Sequence, residues 1–116
     1  MQTFRFREFP VYKDAKAFNV KIVLLSKPFM LELRSQIVRS ALSIVLNIAE
    51  GSAKRSDKDF NRYLQNALGS VSETVASLEV ALDLKSITEA QFNDLLLNAE
   101  SIGRQLGGLS KKLKSN

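Results

Sequence analysis

Apolar side chains recur along most of this chain at alternating intervals of four and three residues, a spacing that gives a continuous buried face only to an α-helix. Val11, Ala15, Phe18, Ile22 and Leu25 make one such seam, and Phe60, Leu64, Ala67, Val71, Val75, Leu78 and Leu82 a second. Phe92, Leu95, Ala99, Ile102, Leu106, Leu109 and Leu113 make another. A stretch from Leu33 to Ala49 is apolar around most of its circumference. Each of the four can bury its stripe only against the others, which is the condition for a helical bundle.

Local signals divide the chain where the seams break. The first helix is predicted over about Val11 to Lys27 and ends at Pro28, which lacks an amide and clashes with the preceding turn. The second is predicted from about Phe29 to Glu50, with Gly51 placed where a left-handed C-terminal cap would fall. Ser52 to Arg55 read as a short polar loop. Ser56 and Asp59 then resemble a capping box with aspartate in place of the usual glutamate, opening a third helix roughly 40 Å long. Thr88 and Gln91 form a better box for the fourth. Period-two alternation occurs at Phe4-Arg5-Phe6-Arg7, read as part of an extended N-terminal arm reaching to about residue 9. Such short connections make neighbouring helices antiparallel. The expected fold is all-α, an up-down-up-down antiparallel four-helix bundle, with residues 1–116 as one domain.

Composition then narrows the function. At 116 residues and 45% hydrophobic content the chain can build one core. With no cysteine and no histidine, Ser-His-Asp and Cys-His nucleophilic sites are excluded, and so are zinc sites of the usual ligand sets and Glu-x-x-His di-metal sites. There is no phosphate-binding P-loop and no dinucleotide fingerprint, because Gly107-Gly108 sits in a helical seam with no strand before it. Glu73, Glu79 and Asp83 fall on a polar helix face, where solvation is their ordinary role. The expectation is a protein that is not an enzyme and carries no cofactor or metal. Residues 1–10 lack the apolar core of a secretory signal, and Ala41 to Ala49 are too short to span a membrane, so a cytoplasmic location is expected.

Charge is unevenly placed. Residues 1–62 hold twelve of the 17 basic and six of the 12 acidic side chains. Lys54, Arg55, Lys58 and Arg62 cluster at one loop and the first turns of the next helix, with Arg5, Arg7, Lys13 and Lys16 as possible additions. The cluster suits phosphate contacts with RNA or DNA. Its bland reading is neutralisation of Glu50, Asp57 and Asp59.

The second helix is unusual for a monomer. Its apolar arc spans roughly 220°, against the stripe of about 100° that covers one core, so self-association is expected. Gln36, Arg39, Ser40, Ser43, Asn47 and Glu50 share an arc of about 100°, and Gln36, Arg39, Ser43, Asn47 and Glu50 read as a polar seam fixing register between helices or subunits. Local neutralisation of Glu50 by Lys54, Arg55 or Arg62 is the alternative reading. Gly69, with Ser70, Ser72, Ala76 and Ser77, makes a small-residue patch that reads either as a place for close approach by a neighbour or as simple tolerance of a glycine in the helix. Phe4 and Phe6 read either as a hydrophobic staple or as a recognition element.

Several runs are distinctive together: Ser35 to Ile44 (SQIVRSALSI), Asn47 to Ser56 (NIAEGSAKRS), Asp59-Phe60, Arg62-Tyr63-Leu64, and Ala67 to Glu73 (ALGSVSE). They resemble the four-helix-bundle family of 23S rRNA-intervening-sequence proteins, whose pattern includes Asn-Ile-Ala-Glu-Gly followed by Gly-Ser-x-x-Glu. The resemblance extends from the aromatic entry around Phe9 and Tyr12 to the leucine-rich last helix. It implies ring-like homo-oligomers, typically pentamers, and many such proteins are encoded within insertions in bacterial large-subunit ribosomal RNA genes. A related branch serves reverse transcriptases of diversity-generating retroelements as an accessory protein, so a reverse transcriptase is an implied protein partner. Two features depart from the pattern. The link at Pro28 is short, and Tyr12 stands where a tryptophan is common.

Overall fold

The structure, a computed structural model, describes residues 3–114. Four α-helices account for most of it: α1 (Pro10–Leu25), α2 (Leu31–Ser52), α3 (Asp57–Asp83) and α4 (Glu89–Lys114). They form the expected up-down-up-down bundle, 45 × 23 × 20 Å, and no strand occurs among the described residues. Sequential helices pack side by side and α1 closes against α4, so the cross-section is a square. The α2–α3 pairing is the most extensive and α1–α4 the loosest.

The seams meet as their spacing requires. Phe18, Ile22, Ile37, Ile44, Ile48, Leu64, Leu78, Ile102 and Leu106 are the largest apolar side chains fully removed from water, each contributing roughly 1.5–3 kcal/mol. Phe29 is buried as well, but ahead of α2 rather than in it. Its amide bonds Ser26 O at 2.9 Å in the Pro28 turn, and the helix begins only at Leu31.

Capping follows residue chemistry at each end. Pro10 starts α1 at a position whose amide has no helical partner in any case. Thr88 and Gln91 exchange bonds of 2.9 and 3.1 Å, a complete box. At Ser56 half a box forms: the hydroxyl accepts the Asp59 amide at 3.1 Å, while the shorter Asp59 side chain turns to Arg62, 3.8 Å away. The α3 terminus closes with paired bonds, Ser86 N–H to Ala81 O and Lys85 N–H to Leu82 O, both 2.9 Å. Lys85 takes the left-handed conformation there, with φ of 60°.

Two local expectations are corrected. The arm is not extended: Arg5–Glu8 form a turn of 3-10 helix, while Met1 and Gln2 lie outside the described residues. Rings drive that folding, since Phe6 packs on Phe4 at 6.2 Å and on Tyr12 at 4.7 Å between centroids. Gly51 is not a left-handed cap. It is helical and buried, and α2 runs one residue past it. A Cβ at Gly51 would stand 2.7 Å from Tyr63 Cβ and 2.9 Å from the Phe60 ring, so only glycine lets α2 and α3 approach this closely.

Candidate nucleic-acid interface

The turn between α2 and α3 places Lys54 and Arg55 just outside one helix and Lys58 and Arg62 on the opening turns of the next. All four are exposed. Lys54 Nζ lies 5.0 Å from the centre of the Tyr63 ring, and the Arg62 guanidinium carbon lies 5.7 Å from it. The ring thus holds two cations beside one another at the surface. Among the described residues, the only ion pair touching the cluster is the exposed Arg62–Asp59 contact, which adds little in water. Glu50 makes no ion pair with Lys54, Arg55 or Arg62.

The additional N-terminal cations divide. Arg5 is exposed but tied to the bundle: its Nε and Nη2 donate to Ser52 O at 3.2 and 3.0 Å, capping the last carbonyl of α2. Its guanidinium also lies 5.8 Å from the Phe9 ring centre and 5.4 Å from that of Phe60. Lys13 pairs with Glu8 at 3.8 Å, and Lys16 sits 5.3 Å from the Tyr12 ring centre. Arg7 is exposed.

Topology adds a third segment that sequence order hides. In an up-down bundle the start of α1, the α2–α3 turn and the end of α4 share one end. Lys58 and Lys114 line one shallow depression of about 380 Å³ with Asp57, Asn61 and Leu113. Gln65 donates to Ser110 Oγ at 3.0 Å, and Ser110 also bonds Asn61, which fixes the α4 tail against the opening of α3. Counted over residues 3–17, 48–66 and 105–114, this end carries eleven of the 17 basic side chains and five of the 12 acidic ones. Sequence order assigned Lys111, Lys112 and Lys114 to a near-neutral half. The signal that joins them to the cluster is the helix count, since an even number of antiparallel helices returns the chain to the end where it began.

The polar seam of α2 splits in the same way. Asn47 Nδ2 donates to Ser43 Oγ at 3.0 Å, and Ser70 of α3 donates to the same oxygen at 2.8 Å. Gln36, Arg39 and Glu50 are exposed and make no side-chain hydrogen bond among the described residues. The buried polar link is one that sequence reading missed: Ser40 Oγ and Thr74 Oγ1 lie 2.8 Å apart in the α2–α3 interface. Ser40 falls on the polar arc of α2 but is not among its seam residues, and Thr74 sits among the apolar positions of α3, so no periodicity pairs the two. Gly69 itself faces open space, while Ser70 of the same patch packs against α2 through its bond to Ser43.

Among the described residues, no group of three or more His, Cys, Asp or Glu side chains could hold a metal, and no helix is long and apolar enough to cross a membrane. A helical bundle with a basic end and a hydroxyl-lined helix interface defines the class. Within it, the model for "23S rRNA-intervening sequence protein" matches residues 7–108, and the chain belongs to that family. It is also similar to a solved protein of unknown function from the S23 ribosomal protein family of Bacteroides thetaiotaomicron VPI-5482. Identity is 28% and the TM-score 0.81, over 87% of this chain and 98% of that one. Among proteins of curated function, none matches this sequence.

Proposed function

We propose that this chain is a cytoplasmic, non-catalytic, self-assembling bundle whose basic end binds the phosphates of RNA or DNA, as an accessory protein of the rRNA-intervening-sequence type. The observation that carries the reading is the convergence of three chain segments on one end, with Lys54, Arg55, Lys58 and Arg62 exposed at its centre. Point charges on flexible stems around a convex end contact phosphate and do not read base edges. Self-assembly is supported by α2, where Leu31, Leu42 and Leu46 remain 77%, 42% and 50% exposed. In an assembly, a pentamer being the form the family resemblance implies, each copy would present its basic end alongside the others and multiply a weak contact into avidity.

The test is fluorescence anisotropy with a labelled structured RNA and a labelled DNA duplex, at low and moderate salt. Four phosphate contacts predict a log–log salt slope of about −3.6, or roughly a hundredfold loss between 50 and 200 mM. Reversing all four charges (Lys54→Glu, Arg55→Glu, Lys58→Glu, Arg62→Glu) is expected to abolish binding without loss of helicity. Absence of salt-sensitive binding tighter than about 10 µM by the native chain would overturn the reading.

A second reading is a protein-interaction scaffold, for example an accessory subunit of a reverse transcriptase. It is favoured by the exposed leucines of α2 and by Phe4, 60% exposed on the arm. A pull-down that recovers one protein equally well after nuclease treatment distinguishes it from the first.

A further inference from the structure

Two faces of the bundle are complementary in shape and charge yet too far apart to meet within one chain. The first is a ridge on α2. Ser40 marks the side of α2 turned to α3, through its 2.8 Å contact with Thr74. At 100° per residue, Leu31, Leu42 and Leu46 lie about 180–240° around the helix from Ser40, so all three point away from α3 into solvent. The second is an open groove of about 400 Å³ between α3 and α4, on the opposite side of the bundle. Leu68, Val75 and Leu96 line it with Ala76, Ala99 and Gly103. A Cβ built at Gly69, Gly103 or Gly107 meets nothing within 4 Å. Glycine inside a helix costs about 1 kcal/mol relative to alanine, and nothing within the chain uses the space these three leave open.

The hydrogen bonds between helices set the heights of the two faces. Ser40 stands level with Thr74 and Ser43 with Ser70, while Gln65 stands level with Ser110. Following these antiparallel registers, Leu42 falls near the height of Ser72 and Gly103, and Leu46 near that of Gly69 and Gly107. Arg39, beside the ridge, falls near the height of Glu100, which lines the groove together with Glu79. None of these three charges has an ion-pair partner among the described residues.

We propose that the α2 ridge of one copy docks into the α3–α4 groove of a second copy with the bundle axes parallel, Leu42 and Leu46 seated over the glycines and Arg39 facing Glu100. This rests on the self-assembly reading above and specifies its surfaces. Because the two patches differ and lie on opposite faces, the contact is head-to-tail. An open row of copies then leaves one ridge free at one end and one groove free at the other, which only closure into a ring removes. Parallel axes also bring every basic end to the same side of the assembly.

The test measures mass by light scattering on size-exclusion chromatography, with circular dichroism as the folding control. The native chain is expected to be oligomeric at about 50 µM. Leu42→Glu with Leu46→Glu on the ridge, and Ala76→Arg with Gly103→Arg in the groove, should each dissociate at least about 100-fold more readily with helicity intact. Mixing the two variants should restore a 1:1 dimer, because one native ridge and one native groove remain between them. Arg39→Glu should weaken assembly and Glu100→Arg should rescue it, a readout that alters no apolar side chain. A folded ridge variant of native mass, or a mixture that stays monomeric, would overturn these surfaces while leaving self-assembly standing. A native chain that is monomeric at that concentration would remove the self-assembly reading and this docking with it.

Discussion

Gly51 and Gly108 show that the same residue type in the same kind of helix does opposite work. Alanine normally improves a helix by about 1 kcal/mol over glycine. At Gly108, where an added Cβ meets nothing, Gly108→Ala should raise unfolding free energy by about 0.5–1 kcal/mol. At Gly51 the added methyl would collide with Tyr63 Cβ at 2.7 Å, part of the α3 helix wall rather than a flexible tip. Gly51→Ala should therefore destabilise by about 1–3 kcal/mol, despite the better intrinsic propensity. Urea denaturation of the two variants checks both signs, and equal shifts would show that α2 and α3 are not this close. Gly51 reads from sequence as a cap because it follows the last apolar position. Its true role depends on where Tyr63 lies, which no local rule contains. Lys85 is the converse: a left-handed cap without a glycine to announce it.

Between elements, hydroxyls set the register of the closest helix pair. Ser40 and Thr74 face each other in a buried interface, and each also lies within reach of a carbonyl on its own helix, Ile37 O at 3.2 Å and Ser70 O at 2.8 Å; with two protons for three contacts, one hydroxyl donates across the interface while the other donates to its own carbonyl. When either partner is removed, the remaining hydroxyl can donate to its own carbonyl, so single changes are cushioned and the cross-helix bond is best seen as coupling. A double-mutant cycle with Ser40→Ala and Thr74→Val should return about 1 kcal/mol of interaction energy. A value near zero would mean that shape alone aligns α2 with α3. The N-terminal arm contributes at the same scale, since Arg5 closes the end of α2 by donating to Ser52 O and lying against Phe9 and Phe60. Alternation of phenylalanine and arginine reads as an extended arm, but no strand occurs among the described residues to pair with it. The rings fold onto α1 instead and draw the backbone into a 3-10 turn.

For the molecule as a whole, the electrostatic axis matters more than the net charge of +5. The end with the α2–α3 turn carries the excess of positive charge, while the rest of the chain is close to neutral. If binding uses that end, Lys111→Glu with Lys114→Glu should lower nucleic-acid affinity and reduce the salt slope by about one to two. Lys27→Glu with Lys85→Glu makes the same change in total charge at the opposite end and should leave the slope unchanged. Equal effects from the two pairs would show that binding follows overall charge rather than the basic end. The helices and their antiparallel order were legible in the sequence, because the four-three spacing and the breakers act over a few residues, where helix geometry is fixed. Lys54, Arg55, Lys58 and Arg62 were legible for the same reason, being neighbours along the chain. The tertiary structure alone decided that the α4 tail joins them, that Arg5 is tied to the end of α2, that Ser40 meets Thr74, and that Gly51 admits Tyr63. Those facts depend on which helices lie side by side and at what height. Packing of whole faces sets that arrangement, and no short stretch of chain encodes it.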